Sequence, residues 1–353
     1  MANRFPGGVI SKTPPTVVAP VDGEGGSASG VWTLDEVLGY EKAGAWPKPP
    51  VPQELYAWGN NGFGELGLNN AIDFSSPVQV GALINWAQVA AGNSHTACVT
   101  TAGTLFTWGS GGSGRTGHDD TTDRSSPVQV GALTNWAQVD AGDDFTACVT
   151  TAGTLFTWGL NSQGQLGDGT VISRSSPVQV GALANWAQVS VGGIHTACVT
   201  TAGTLFTWGA GYQGRLGHDD TVSCSSPVQV GALTNWKQAS AGYFTACVTT
   251  AGTLFTWGFN SFGRLGHNDV ISRSSPVQVG ALTNWAQVSV SKQEFAACVK
   301  TDGTLFTWGR NSDGNLGHND TITQSSPVQV GALTNWTQVS AFSQDNTFAI
   351  TRG

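Results

Sequence analysis

The sequence predicts an all-β fold, a six-bladed beta-propeller of four-stranded blades, preceded by an N-terminal arm containing one short helix. The last blade is expected to be closed by strands from both termini. Three observations carry this. A phrase of 49 to 51 residues recurs, its Trp-Gly step falling at Trp58, Trp108, Trp158, Trp208, Trp257 and Trp308. Each copy is assembled from short β-branched and aromatic runs separated by Gly, Pro and Ser, the signature of strands rather than helices. Charged residues make up only 11% of the chain and there are 48 glycines, a composition suited to many tight turns. A strand-built period near fifty residues is the mark of a propeller.

The elements follow in chain order. Residues 1–52 form the arm and residues 53–353 the propeller. The first thirty residues are rich in Gly, Pro, Ser and Val and have little to bury, so alone they are expected to be disordered. Thr33 and Glu36 then make a capping-box pattern that opens a helix at about 34–42, which Gly44 and Pro47 end. Trp32, Leu34, Val37 and Trp46 are the arm's apolar anchoring residues.

Within each repeat four strands are expected. Strand A carries NWAQV, B HTACVTT, C TLFTWG and D SSPVQV. The Ala-Gly of TTAGT turns B into C, because glycine accepts a positive φ cheaply. Proline near the start of D suits an outer edge, where a missing N–H harms the ladder least. The repeats open with C and D (Leu55–Gly59, Ser75–Val80) and finish with A and B (Trp336–Ala341, Thr347–Thr351), so the two halves are expected to combine in one blade that hides the sheet edges.

Several chemistries are disfavoured. Net charge is −8 with no Lys/Arg cluster, against a nucleic-acid partner. No apolar stretch is long enough to span a bilayer, and MANRFPGGVISKTPP lacks the apolar core of a secretion signal. Cys98, Cys148, Cys198, Cys247 and Cys298 share one strand position in successive repeats and read as small buried apolar residues, Ala349 taking that place in the last copy. Cys224 stands apart, in a variable stretch, and is expected to be more exposed. Gly109, Gly111 and Gly114 match a dinucleotide-binding pattern, but no helix is expected after them. His95 and His195 alternate with Phe145, Phe244 and Phe295, which argues against catalysis or metal binding. His118, His218, His267 and His318 read as structural turn residues. No cofactor, no metal site and no catalytic residue is expected.

The repeats resemble the regulator of chromosome condensation family. The resemblance rests on WGRNSDGNLGH at 308–318, WGFNSFGRLGH at 257–267 and VAAGNSHT at 89–96, and covers about 300 residues. It implies a propeller, usually of seven blades, where six are expected here. Nucleotide exchange on a small GTPase, as the family implies it, needs a hairpin inserted into a blade, and the even Trp spacing leaves no room for one. The plant ultraviolet photoreceptors are also similar in fold but carry clustered tryptophans in GWRHT phrases, and the corresponding loops have none. Separately, SGVWTLDE at 29–36 with AGAWP at 43–47 resembles phrases in virion proteins of marine tailed phages.

The copies differ mainly in their A–B and C–D loops, which alternating strands place on one face. Asp143, Asp144, Tyr212, Tyr243, Phe244, Phe259, Phe262, Lys292 and Arg310 are the candidate recognition residues there. The expected function is a non-enzymatic virion structural protein, a decoration, tail or fibre component assembled in the host cytoplasm. Residues 1–50 would join it to other virion proteins, and the variable loops would take a host-surface protein or glycan. The alternative is a cytoplasmic protein-interaction scaffold without exchange activity.

Overall fold

The computed structural model describes residues 53–291, 294–342 and 346–351. The helix expected at about 34–42, the anchors Trp32, Leu34, Val37 and Trp46, and Lys292 lie outside the described residues. The described strands belong to one compact unit, Glu54–Gly353.

A two-stranded sheet comes first, β1 (Tyr56–Gly59) with β2 (Phe74–Gln79). Five four-stranded sheets follow. Blade 1 contains β3 (Trp86–Ala91), β4 (His95–Thr100), β5 (Leu105–Gly109) and β6 (Arg124–Gln129). Blade 2 contains β7 (Trp136–Ala141), β8 (Phe145–Thr150), β9 (Leu155–Gly159) and β10 (Arg174–Gln179). Blade 3 contains β11 (Trp186–Val191), β12 (His195–Thr200), β13 (Leu205–Gly209) and β14 (Cys224–Gln229). Blade 4 contains β15 (Trp236–Ala241), β16 (Phe244–Thr249), β17 (Leu254–Gly258) and β18 (Arg273–Gln278). Blade 5 contains β19 (Trp285–Val290), β20 (Phe295–Lys300), β21 (Leu305–Gly309) and β22 (Gln324–Gln329). A second two-stranded sheet, β23 (Trp336–Phe342) with β24 (Asn346–Thr351), ends the array.

The A, B, C and D strands of each blade pair in sequence order, antiparallel throughout. The six A strands line a central cavity of about 290 Å³. All six A strands bulge between the Trp and the Gln. A bulge re-aims a side chain, and here it sends the Gln to the next blade. Gln138 donates from Nε2 to the Val189 carbonyl and accepts the Val189 N–H on Oε1, both at 2.8 Å. Gln88, Gln188, Gln238 and Gln287 make the same double bond to Val139, Ala239, Val288 and Val339 at 2.9–3.1 Å. Farther out, the A-strand Trp meets the C-strand Phe edge-on, with centroids 5.3–5.5 Å apart.

A second seam between blades uses one backbone oxygen. The Arg115 carbonyl accepts both Trp158 Nε1 at 3.0 Å and Thr146 Oγ1 at 2.8 Å from the following blade. Glu65, Gln165 and Arg215 offer their carbonyls to the next Trp and Thr in the same way. A glycine two residues on keeps this approach open: a Cβ on Gly117 (φ +79°) would meet Trp158 Nε1 at 2.6 Å.

The expected joining of the first and last strands into one closing blade is not found. Among the described residues β1 pairs only with β2, and β24 only with β23, so the strands fall into seven sheets rather than six. The packing explains the difference. β1 and β2 lie against blade 1, Leu55 and Ala57 touching the cluster of Val80, Trp86, Cys98 and Trp108. β23 and β24 lie against blade 5, through Val339, Ala341 and Ala349. Among the described residues the two half-sheets lack the cover that complete blades give each other: Val89 is 53% exposed where Val139 is 1%, and Trp58 is 52% exposed where Trp158 is 0%.

This contrast is measurable. Gln138→Ala strands two backbone groups of Val189 and is expected to lower the unfolding free energy by about 2 kcal/mol. Gln338, exposed beside the gap, is expected to tolerate alanine within about 0.5 kcal/mol. Urea denaturation of the two variants checks this; equal losses mean that the ring is closed in solution.

Candidate functional site

The A–B and C–D loops of blades 1, 2, 3 and 5 are clipped to each other. Ser110, Leu160, Ala210 and Arg310 donate their backbone N–H to the carbonyls of Ser94, Asp144, Ile194 and Glu294 at 2.8–3.0 Å. The B–C turns instead meet the D–A links, as where Trp136 N–H reaches the Gly103 carbonyl at 3.0 Å. The variable loops therefore share one end of the blades and the uniform turns the other.

The centre of the variable end is a row of arginines that the sequence reading did not single out. The residue whose carbonyl ties two blades together is Glu65, Arg115, Gln165, Arg215, Arg264 or Asn315 in successive copies. Its backbone carbonyl is held by a Trp, a Thr or both from the next sheet, Trp308 alone for Arg264 and Thr347 alone for Asn315, so its side chain rises beside the next A–B loop. In all three arginines Nε donates to a carbonyl three residues back, that of Gly112, Tyr212 or Ser261, at 2.8–3.1 Å. Arg115 then pairs with Asp144 at 2.5 Å and bonds Ser94 Oγ at 2.7 Å. Arg264, fully buried, pairs with Glu294 at 3.5 Å, and Glu294 also binds Arg310 at 2.6 Å. Burial pulls Arg264 down to about 10, with Glu294 pulling the other way.

Aromatic rings cover these guanidinium groups. Arg215 lies 4.7 Å from the Tyr212 ring centroid and 6.0 Å from that of Tyr243, and Arg264 lies 4.7 Å from Phe259. Arg310, partly exposed, lies 5.7 Å from Phe262. Tyr212, Tyr243 and Phe262 are exposed. Phe262 is held outward at φ +63°, as is Gln213 at φ +62°.

Placed on this surface, the sequence candidates divide. Tyr212, Tyr243, Phe262 and Arg310 stand on the loop face together. Asp144 is engaged by Arg115, and the Asp143 carboxylate hangs over Gly193 of the next blade. Phe259 is half-buried beneath Arg264. Phe244 corrects the sequence reading: it is the first residue of β16, fully buried in the core cluster of Trp285 and Val288, and has no surface to offer. Its neighbour Tyr243 carries the exposed ring instead.

The histidines are structural. His95 and His195 are buried and bond Thr146 and Thr245 of the following blade at 2.9 Å, which ties blades together rather than shaping a loop. His118, His218, His267 and His318 bond the C-strand Thr107, Thr207, Thr256 and Thr307 at 2.9–3.0 Å. All six cysteines are free thiols; burial pushes up the five at the shared B-strand position, and Cys224 is half-buried at the start of β14. Among the described residues no group of three or more His, Cys, Asp or Glu could hold a metal ion, and no helix is long and apolar enough to cross a membrane. After Gly109 comes only a three-residue 3₁₀ turn, Gly112–Gly114, so the glycine pattern there opens no phosphate-binding helix.

Consecutive four-stranded sheets around a shared cavity, each fastened to the next through its inner strand, define a propeller of tandem repeats. Within that class the chain belongs to the RCC1-like domain family, whose model matches residues 54–353. The fold is similar to that of yeast RCC1 (Prp20) bound to Kap60, with a TM-score of 0.75 at 20% identity over 85% of this chain and 77% of that one. Prp20p from Saccharomyces cerevisiae, described with its binding to Gsp1p and histones, gives 0.72 at 18% over 85% and 78%. Human WBSCR16 gives 0.74 at 22% over 84% and 82%. No curated protein sequence matches the chain. The family match does not reach residues 29–47, where the resemblance to virion proteins lies.

Two measurements bear on this arrangement. Glu294→Gln leaves the buried Arg264 without its carboxylate and is expected to cost about 1 to 3 kcal/mol in urea denaturation. Burial holds the His195 imidazole neutral, down to about 3 from 6.5, so the stability it contributes is present above pH 6.5 and lost as pH falls toward 3. Between pH 7 and 5 the wild type is expected to lose about 2 kcal/mol more than His195→Phe, which has no proton to take up.

Proposed function

We propose that the protein is a non-enzymatic, protein-binding propeller that grips its partner with the loop face of blades 3 to 5. The observation that carries this is the concentration of Tyr212, Tyr243, Phe262 and Arg310 on that face, exposed large rings beside guanidinium groups. Tyrosine and arginine are the residues that dominate protein interfaces, because each offers apolar area together with a polar group. The rigid blades beneath hold these side chains in place before a partner arrives, which lowers the ordering cost of binding. Membership of the RCC1-like domain family supports the reading, as do neighbours described with the protein partners Kap60, Gsp1p and histones.

This is the scaffold alternative of the sequence reading. The virion role, and the attachment of residues 1–50 to other virion proteins, draw on residues 29–47 alone, and no feature of the described residues speaks for them.

A photo-crosslinking amino acid placed at Phe262 is expected to capture one dominant protein partner in native lysate. The same group at Ala152, on the uniform B–C turn, is expected to capture none. Capture from Ala152 and not Phe262 assigns binding to the opposite face and ends this reading.

A further inference from the structure

The repeats provide their own comparison set. Three arginines occupy one structural position, anchored through the same Nε bond to the carbonyl three residues back. Each faces the A–B loop residue that immediately precedes the next blade's B strand. For Arg115 that residue is Asp144, and for Arg264 it is Glu294; both form ion pairs. For Arg215 it is Tyr243. The carboxylate that the chain supplies at two equivalent places is missing at the third.

The consequences for Arg215 are plain in the geometry. The residue is 2% exposed, and among the described residues its side-chain bonds are Nε to the Tyr212 carbonyl at 3.1 Å and one Nη to Gln213 at 3.4 Å. Its other Nη is buried without a hydrogen-bond partner. A buried charged donor with nothing to donate to is costly and rare. The rings that cover it, Tyr212 and Tyr243, are both exposed to solvent. Two further guanidinium groups stand on the same face, Arg264 and Arg310 of the next two blades, both paired with Glu294. In a chain of net charge −8 this is a local positive site.

We infer that Arg215, with Tyr212 and Tyr243, forms a receptor for a carboxylate carried by a partner protein, an Asp or Glu side chain in an acidic peptide segment. The peptide source follows from the two filled sites, where the group in place is itself an Asp or Glu side chain presented by a loop. The incoming carboxylate takes the place of the missing acid, accepts from the vacant Nη, and is flanked by the two tyrosine rings. This assignment rests on the protein-binding reading above and narrows it to one chemistry.

The test uses the full chain and a display library of random nonapeptides, selected in parallel on wild type, Arg215→Gln and Tyr243→Glu. The last variant fills the site with the chain's own acid, as Asp144 and Glu294 do. Wild type is expected to enrich peptides with a fixed Asp or Glu, both variants are expected not to, and Tyr243→Glu is expected to melt at or above the wild-type temperature. A selected peptide is expected to lose roughly ten- to hundred-fold in affinity when its acid becomes the amide, and equally when Arg215 becomes Gln. Recovery of the same peptides from all three proteins overturns the proposal. So does selective binding of uronic or neuraminic acid sugars on a glycan array, lost in Arg215→Gln, with no peptide enriched. Peptides that lack an acid and release from a Phe262→Ser variant also end the carboxylate assignment, while leaving the protein-binding reading intact; no enrichment of any ligand ends both.

Discussion

The bond on which this architecture depends is a glutamine amide doing the work of a backbone pair. The inner strands of neighbouring blades do not hydrogen-bond to each other as strands of one sheet would. Instead Gln88, Gln138, Gln188, Gln238 and Gln287 each cap one N–H and one carbonyl of the following inner strand. A primary amide matches the spacing of a peptide donor and acceptor, so a side chain can satisfy groups that would otherwise be stranded beside the central cavity. The bulge before each glutamine is what points it there. Remove the bulge and the side chain falls back into its own sheet.

The outer seam follows a related logic, with a further effect on the surface. One carbonyl accepts a tryptophan and a threonine from the next blade at most junctions, and Trp308 alone at Arg264, where Ala296 takes the threonine's place. The residue that owns this carbonyl is thereby pinned in space, while its side chain is free to vary. Evolution of the loop face can therefore replace Glu65 with Arg115 or Gln165 at that position without disturbing the contact between blades. Core and recognition surface meet at a single residue that serves the first through its backbone and the second through its side chain.

Much of this was legible in the repeat pattern. Comparison of copies assigned the strands, the buried cysteines and the turn histidines, because packing positions tolerate only similar residues and so stay uniform. It also separated variable loops from constant turns. Phe244 was misplaced because sequence puts it inside a variable loop, whereas the hydrogen-bonded ladder already begins there. Arg215 and Arg264 stand before Leu in their copies, but their importance depends on which loop of the next blade they meet, a contact across some thirty residues that periodicity does not encode. The joining of the end strands rests on strand counting, and counting carries no information about the angle at which consecutive blades pack.

The whole-blade construction of the array bears on how such a chain can change its size. Every complete blade is contiguous in sequence, and every junction between blades uses the same two devices. A duplicated or deleted copy therefore meets compatible neighbours on either side. Such a design can lengthen or shorten by whole units through unequal crossing-over, keeping its fasteners intact while the tally of presented loops shifts from one descendant to the next.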